Sequence, residues 1–139
     1  MAFEIPLRVY IEDTDAGGIV FYANYLKFFE RARTDFLRTA GIAQSETMKD
    51  NLIFVVRRVS VDYTQPARLD DLLAISCALV RTTPTRVCFH QQAIRQSDRA
   101  LLVAAEVEVV GVRLDTLKPM AMSKALRSQL QQTIENPNV

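Results

Sequence analysis

The chain has 139 residues, 49% of them hydrophobic and 24% charged, with a formal net charge of +1. That is enough for one domain with a real core, residues 1–139, and too near neutrality to favour a nucleic-acid partner. No apolar run is long enough to span a bilayer, and the N-terminus lacks the basic-then-apolar order of a secretion signal, so a cytoplasmic protein is expected. Cys77 and Cys88 sit in apolar, strand-like settings and are expected to be reduced core residues rather than a disulfide.

Residues 3 to 11 alternate, with Phe3, Ile5, Leu7, Val9 and Ile11 on one face, which predicts a half-buried strand. Pro6 cannot donate to a ladder and points to a sheet edge. An acidic turn, Glu12-Asp13-Thr14-Asp15, then runs into Ala16-Gly17-Gly18. From Tyr22 or Asn24 a helix is predicted. Tyr25, Phe28, Phe29, Ala32, Phe36 and Ala40 form its apolar stripe, and Gly41 is a left-handed stop. Arg31 and Asp35, four apart on the opposite side, can pair weakly. Three phenylalanines on one stripe need a wide apolar surface, and a sheet would supply it.

Residues 42 to 51 read as a loop or short helical turn. A second strand is predicted from Leu52 to Thr64, and a third from Leu72 to Arg81. The third carries Leu73, Ile75, Cys77 and Leu79 on one face and small or apolar residues on the other, so both faces should be covered. Arg86 to Arg95 and Ala100 to Arg113 complete an antiparallel meander joined by short polar turns. Ser123 is placed to cap a helix from Lys124 to about Thr133, which Asn136-Pro137-Asn138 should end. One sheet on one helix leaves edges bare, and a second copy is the simplest cover.

Glycines only at 17, 18, 41 and 111 exclude G-x-G-x-x-G, and no G-x-S-x-G or G-x-x-x-x-G-K is present. Counted from Asp13, an EF-hand calcium loop would want Asp or Asn where Gly17 stands and Glu where Asn24 stands. The only histidine, His90, is mid-strand and reads as a structural or surface residue. Carboxylates remain. Asp15, between a strand end and two glycines, can be a turn-former or a reactive group beside the free amides of a helix start; the residues alone favour the turn-former.

The stretch Glu12-Asp13-Thr14-Asp15-Ala16-Gly17-Gly18-Ile19-Val20-Phe21-Tyr22-Ala23-Asn24-Tyr25, continuing into Phe28-Phe29-Glu30-Arg31-Ala32-Arg33, resembles the signature of hotdog-fold acyl-CoA thioesterases. It is most similar to the YbgC type associated with the Tol-Pal system, and next to the 4-hydroxybenzoyl-CoA thioesterases. The resemblance implies an α+β hotdog fold, a five-stranded antiparallel sheet wrapped around one long helix, assembled as a homodimer or homotetramer. It implies an acyl-CoA substrate, with acyl carrier protein as an alternative carrier, and no metal or cofactor.

On this resemblance Asp15 is the catalytic carboxylate, as nucleophile or as general base. Tyr22 supplies the backbone N–H that polarises the thioester carbonyl. Gly17 and Gly18 let the substrate approach the backbone, with Asn24 and Tyr25 nearby. Arg81 and Arg86, flanking the turn at Thr82 to Thr85, would meet coenzyme A phosphates; Arg57 and Arg58 are weaker candidates. YbgC-type chains often carry Tyr-His-Ala-Asn-Tyr where this one has Phe21-Tyr22-Ala23-Asn24-Tyr25, which removes a histidine from the site. Two other readings are a hotdog dehydratase, which would need a histidine near the carboxylate, and a non-hydrolytic acyl-thioester or acyl-carrier-protein binding scaffold.

Overall fold

The computed structural model describes residues 2–135. In chain order the elements are β1 (Glu4–Arg8), α1 (Tyr25–Thr39), α2 (Gln44–Lys49), β2 (Leu52–Tyr63), β3 (Leu72–Ser76), β4 (Ala78–Thr82), β5 (Arg86–Arg95), β6 (Leu101–Arg113) and α3 (Lys124–Glu135). Single 3₁₀ turns stand at Ile11–Asp13 and Tyr22–Asn24. The expected chain end at Asn136 to Asn138 lies outside the described residues.

The strands form one antiparallel sheet in the order β1-β3-β5-β6-β2, with β4 also on β5. The predicted third strand is β3 and β4 together. Ile75 faces Ala93 and Ala78 faces His90, so the register is unchanged across the gap at Cys77. There the backbone leaves the ladder: the Cys77 N–H donates to Phe3 O (3.2 Å), and the Gln92 N–H donates to Ser76 Oγ (2.9 Å). The sheet therefore counts six strands where the sequence pattern reads five. β1 is one edge, which accommodates Pro6, and the twelve-residue β2 is the other.

Helix α1 lies against one face of this sheet. Tyr25, Phe28, Phe29, Ala32 and Phe36 are buried, and Phe36 meets the rings of Phe3 and Phe89 edge-on at 5.5 and 6.3 Å. Leu73, Ile75, Cys77 and Leu79, with Phe89, Val107 and Val109, form the facing layer. Gly41 closes the helix at φ +81°, with its N–H on Arg38 O and the Ile42 N–H on Leu37 O, the double bond of a left-handed C-terminal stop. Ser123 caps α3 through Oγ to the Leu126 N–H (3.1 Å).

Three expectations change. Ile11 is 76% exposed, because the chain leaves the sheet after Val9 and starts the 3₁₀ turn. The second face of the third strand is buried at Ala74 and half-buried at Ser76, whereas Ala78 and Val80 are exposed in the protomer. Asp35 pairs with Arg38 (3.3 Å) rather than with Arg31. In β6, Ala93 faces Val103 and Ile94 faces Leu101, so Leu102 is an extra residue that turns inward while Leu101 turns out.

Candidate active site

The acidic turn is a small hairpin that the backbone ties to the head of α1. Thr14 pairs with Val20, the Asp15 N–H donates to Ile19 O (2.9 Å), and the Gly18 N–H donates to Asp15 O (3.1 Å). Gly18 takes φ +78°, which a side chain would strain. Gly17 has a different reason: a Cβ there would come within 3.3 Å of Asp15 Oδ1. That oxygen accepts the Gly17 N–H at 2.8 Å. Asp15 is thus a turn-former through one oxygen, while Oδ2 has no hydrogen-bond partner among the described residues and the residue is exposed.

Asp13 is the brace of this arrangement. Its Oδ2 accepts the Tyr10 N–H (2.9 Å), its Oδ1 accepts Asn24 Nδ2 (2.9 Å), and its carbonyl accepts the Phe21 N–H (3.0 Å). The strand end, the hairpin and the first turn of the helix are fixed to one residue. The predicted site residue Asn24 has its amide committed to this brace.

Tyr22 opens the 3₁₀ turn that runs into α1, and its backbone N–H has no partner among the described residues. A free amide at a helix head carries partial positive charge and can receive an oxyanion. The Tyr22 ring is 65% exposed, while its carbonyl accepts the Tyr63 hydroxyl at 2.8 Å. Tyr25 is buried, and its hydroxyl accepts the Ala67 N–H at 3.1 Å. Burial pushes the Tyr25 phenol above its ordinary range, and the Ala67 bond only partly offsets this. The Tyr63 ring stands 6.4 Å from that of Tyr22 and 5.8 Å from that of Tyr25, and the three line an open hollow of about 320 Å³ beside the hairpin.

Arg81 and Arg86 do not join this turn. Arg81 faces Cys88 across the ladder, one residue from the inward-facing Val87 and Phe89, so it lies on the sheet face away from α1. There Arg57 binds Glu108 (2.6 Å), with Arg86 and Arg81 at 3.9 and 4.0 Å from the same carboxylate, around a cavity of about 580 Å³. The Arg57 bond is the largest cause holding the Glu108 carboxyl below its usual range. His90 faces Ala78 and Glu106 on the same outer side, away from the acidic hairpin.

Tyr63 and the bracing role of Asp13 were missed by sequence reasoning. Tyr63 follows Tyr22 by 41 residues, and nothing local marks the contact. The Asp13–Asn24 pair could be read only once the hairpin was known.

The family described as "Thioesterase superfamily" matches residues 17–102, the whole stretch from Gly17 through β5 and into β6. This chain belongs to the thioesterase superfamily. It is 42% identical over 130 residues to "Acyl-CoA thioester hydrolase YbgC" of Escherichia coli O6:H1, covering 94% of this chain and 96% of that one. It is 41% identical to "Acyl-CoA thioesterase YbgC" of Haemophilus influenzae, covering 91% and 92%. Among solved structures it resembles a probable thioesterase from Bartonella henselae, 32% identical with a TM-score of 0.81, covering 88% and 100%. The α+β hotdog fold and membership of a thioesterase enzyme family therefore stand on both sequence and shape. No helix of the described residues is long and apolar enough to cross a membrane.

Proposed function

We propose that the protein hydrolyses acyl-CoA thioesters to free acid and CoA. The observation that carries this is the hairpin: its exposed Asp15 carboxylate has one oxygen unengaged among the described residues, and the hairpin leads into a helix head whose Tyr22 amide has no partner among those residues. The thioester oxygen would receive the Tyr22 N–H, a contribution worth roughly a hundredfold or more in rate for such donors elsewhere. Asp15 would attack the carbonyl carbon and expel the CoA thiolate, leaving a mixed anhydride that water then hydrolyses, or would take a proton from water attacking the carbonyl as the thiolate leaves. Gly17 and Gly18 would leave room for the thioester, with Asn24 holding the helix head and Tyr25 backing the hollow.

Arg81 and Arg86, with Arg57, would attract the phosphates of a ligand long enough to place them far from its thioester. The open β2 edge supports a homodimer formed by pairing that edge, and a homotetramer of two dimers. The whole chain, 1–139, would act as one domain in the cytoplasm. Acyl carrier protein remains an alternative carrier of the acyl group. The dehydratase reading is disfavoured by His90, which lies across the sheet from the hairpin.

The test is thiol release from short-chain, long-chain and aromatic acyl-CoAs by wild type and Asp15→Asn. Turnover lost in a folded variant supports the proposal. No release from any member would replace it with the binding-scaffold reading, and acyl-carrier-protein thioesters would be tried next.

A further inference from the structure

The Tyr22 amide is held from two directions. From its own neighbourhood, the Phe21 N–H donates to Asp13 O (3.0 Å) and the Asn24 N–H donates to Phe21 O (2.8 Å). These bonds tie the peptide group that carries the Tyr22 N–H by its other end. From the sheet, the Tyr63 hydroxyl donates to Tyr22 O at 2.8 Å and ties the peptide group on the far side of the Tyr22 Cα. A 3₁₀ turn has poorer hydrogen-bond geometry than an α-helix, and helix ends fray, so the local bonds alone leave this turn loosely fixed. Tyr63 is itself well placed to hold it. It is the last residue of β2, paired with Val103. The next two amides, of Thr64 and Gln65, both donate to Leu102 O (2.8 and 3.1 Å), the extra residue of β6. Farther on, the Val20 N–H donates to Ala67 O and the Leu69 N–H to Gly18 O, so the chain after Tyr63 runs along the hairpin. Among the described residues, Tyr63 is the only side chain from the sheet bonded to the backbone of the Tyr22–Asn24 turn.

We propose that Tyr63 is a positioning residue for thioester hydrolysis: its hydroxyl holds the helix head so that the Tyr22 N–H is already aimed when negative charge develops on the thioester oxygen. The inference rests on the hydrolase reading above. A donor stabilises an oxyanion best when nothing has to reorganise at the moment of reaction, and a displacement of about 1 Å can cost roughly a hundredfold in rate. The same bond adds little to global stability, because the half-exposed Tyr63 hydroxyl exchanges it for water when the chain unfolds. Burial, with the Tyr22 phenol adding to it, raises the Tyr63 phenol above its ordinary range, so the hydroxyl stays protonated and remains a donor through neutral pH. Its one proton is committed to Tyr22 O and is not offered to the departing thiolate. Tyr63 therefore acts through the amide and not on the substrate.

The test compares wild type, Tyr63→Phe and Tyr63→Leu. Thiol release is measured over a pH series with the acyl-CoA that wild type hydrolyses fastest, beside thermal unfolding and NMR order parameters of the Tyr22, Ala23 and Asn24 amides. Tyr63→Phe keeps the ring that stands against Tyr22 and Tyr25 and removes only the donor, whereas Tyr63→Leu removes both. In Tyr63→Phe, kcat should fall roughly ten- to a hundredfold. KM should stay within threefold of wild type, because the amide acts on the transition state. Melting should move by no more than about 3 °C, the shape of the pH–rate profile should be kept, and the three order parameters should drop. A kcat within threefold of wild type, or a raised KM with kcat kept, overturns the proposal. So do unchanged order parameters, and so does an alkaline limb that disappears in Tyr63→Phe, which would make the phenol itself a reacting acid. A loss confined to Tyr63→Leu would give the role to the ring and overturn it as well. No thiol release by wild type overturns the hydrolase reading instead, and the order parameters then decide by themselves whether Tyr63 holds the helix head.

Discussion

Asp15 serves the turn with one oxygen and is available for chemistry with the other, and these two roles are separable by substitution. Asp15→Asn keeps an amide oxygen able to accept the Gly17 N–H now at 2.8 Å, and removes only the charge. At an exposed position such a change should alter stability by no more than about 0.5 kcal/mol. The rate loss is of another order: removing a positioned general base costs about 10²–10⁴-fold, and removing a nucleophile costs at least as much. Asp15→Ala also removes the acceptor, adding up to about 1 kcal/mol for the lost bond. For a chain of this size that lowers the melting temperature by about 3 °C. Thiol release from a long-chain acyl-CoA, measured beside thermal unfolding for all three proteins, reads both roles. Asp15→Asn with unchanged melting and activity within threefold of wild type would refute the assignment. So would an Asp15→Asn as destabilised as Asp15→Ala, since the rate loss could then follow from a broken hairpin.

Tyr25→Phe would leave the Ala67 N–H, in a fully buried residue, without its acceptor. A loss of about 1–3 kcal/mol in urea unfolding is expected, and an unchanged midpoint would mean that water replaces the hydroxyl. Gly41→Ala should cost roughly 1 kcal/mol through φ +81° alone, because the added Cβ would meet Gln129 Nε2 at an ordinary 3.5 Å. Burial pushes the Cys77 thiol up to about 12, despite the lowering influence of Arg33. Between an unfolded-state pKa near 8.5 and this value, the unfolded chain has lost a proton that the folded one keeps. Stability should therefore fall as pH rises across that window, by up to about 1.4 kcal/mol per pH unit. Cys77→Ala should flatten the alkaline slope of unfolding free energy, and an identical slope would remove the thiol as its cause.

Local features were readable in one dimension. The stripe from Tyr25 to Phe36, the stop at Gly41, the cap at Ser123 and the bounds of β5 rest on contacts within a turn or two, where spacing and residue type decide the outcome. The acidic turn was readable for the same reason, though not its pairing of Thr14 with Val20, and its likeness to a known signature tied it to thioester chemistry. What the chain order hid was everything set by pairing between distant segments. β2 lies beyond β6 rather than beside β3, the third strand breaks at Cys77 where Phe3 captures its N–H, and the cross-strand register turns Arg81 and Arg86 to the face away from the hairpin. Gln91, a polar residue in a strand, gives no sign in sequence that it will be fully buried and bonded to Phe29 O and Arg33. The cavity between α1 and β2 likewise exists only because segments distant in the chain meet there. Hydrophobic period and turn chemistry are properties of neighbours in the chain, whereas a cavity and the face a charge occupies depend on which strands pair and where their register slips.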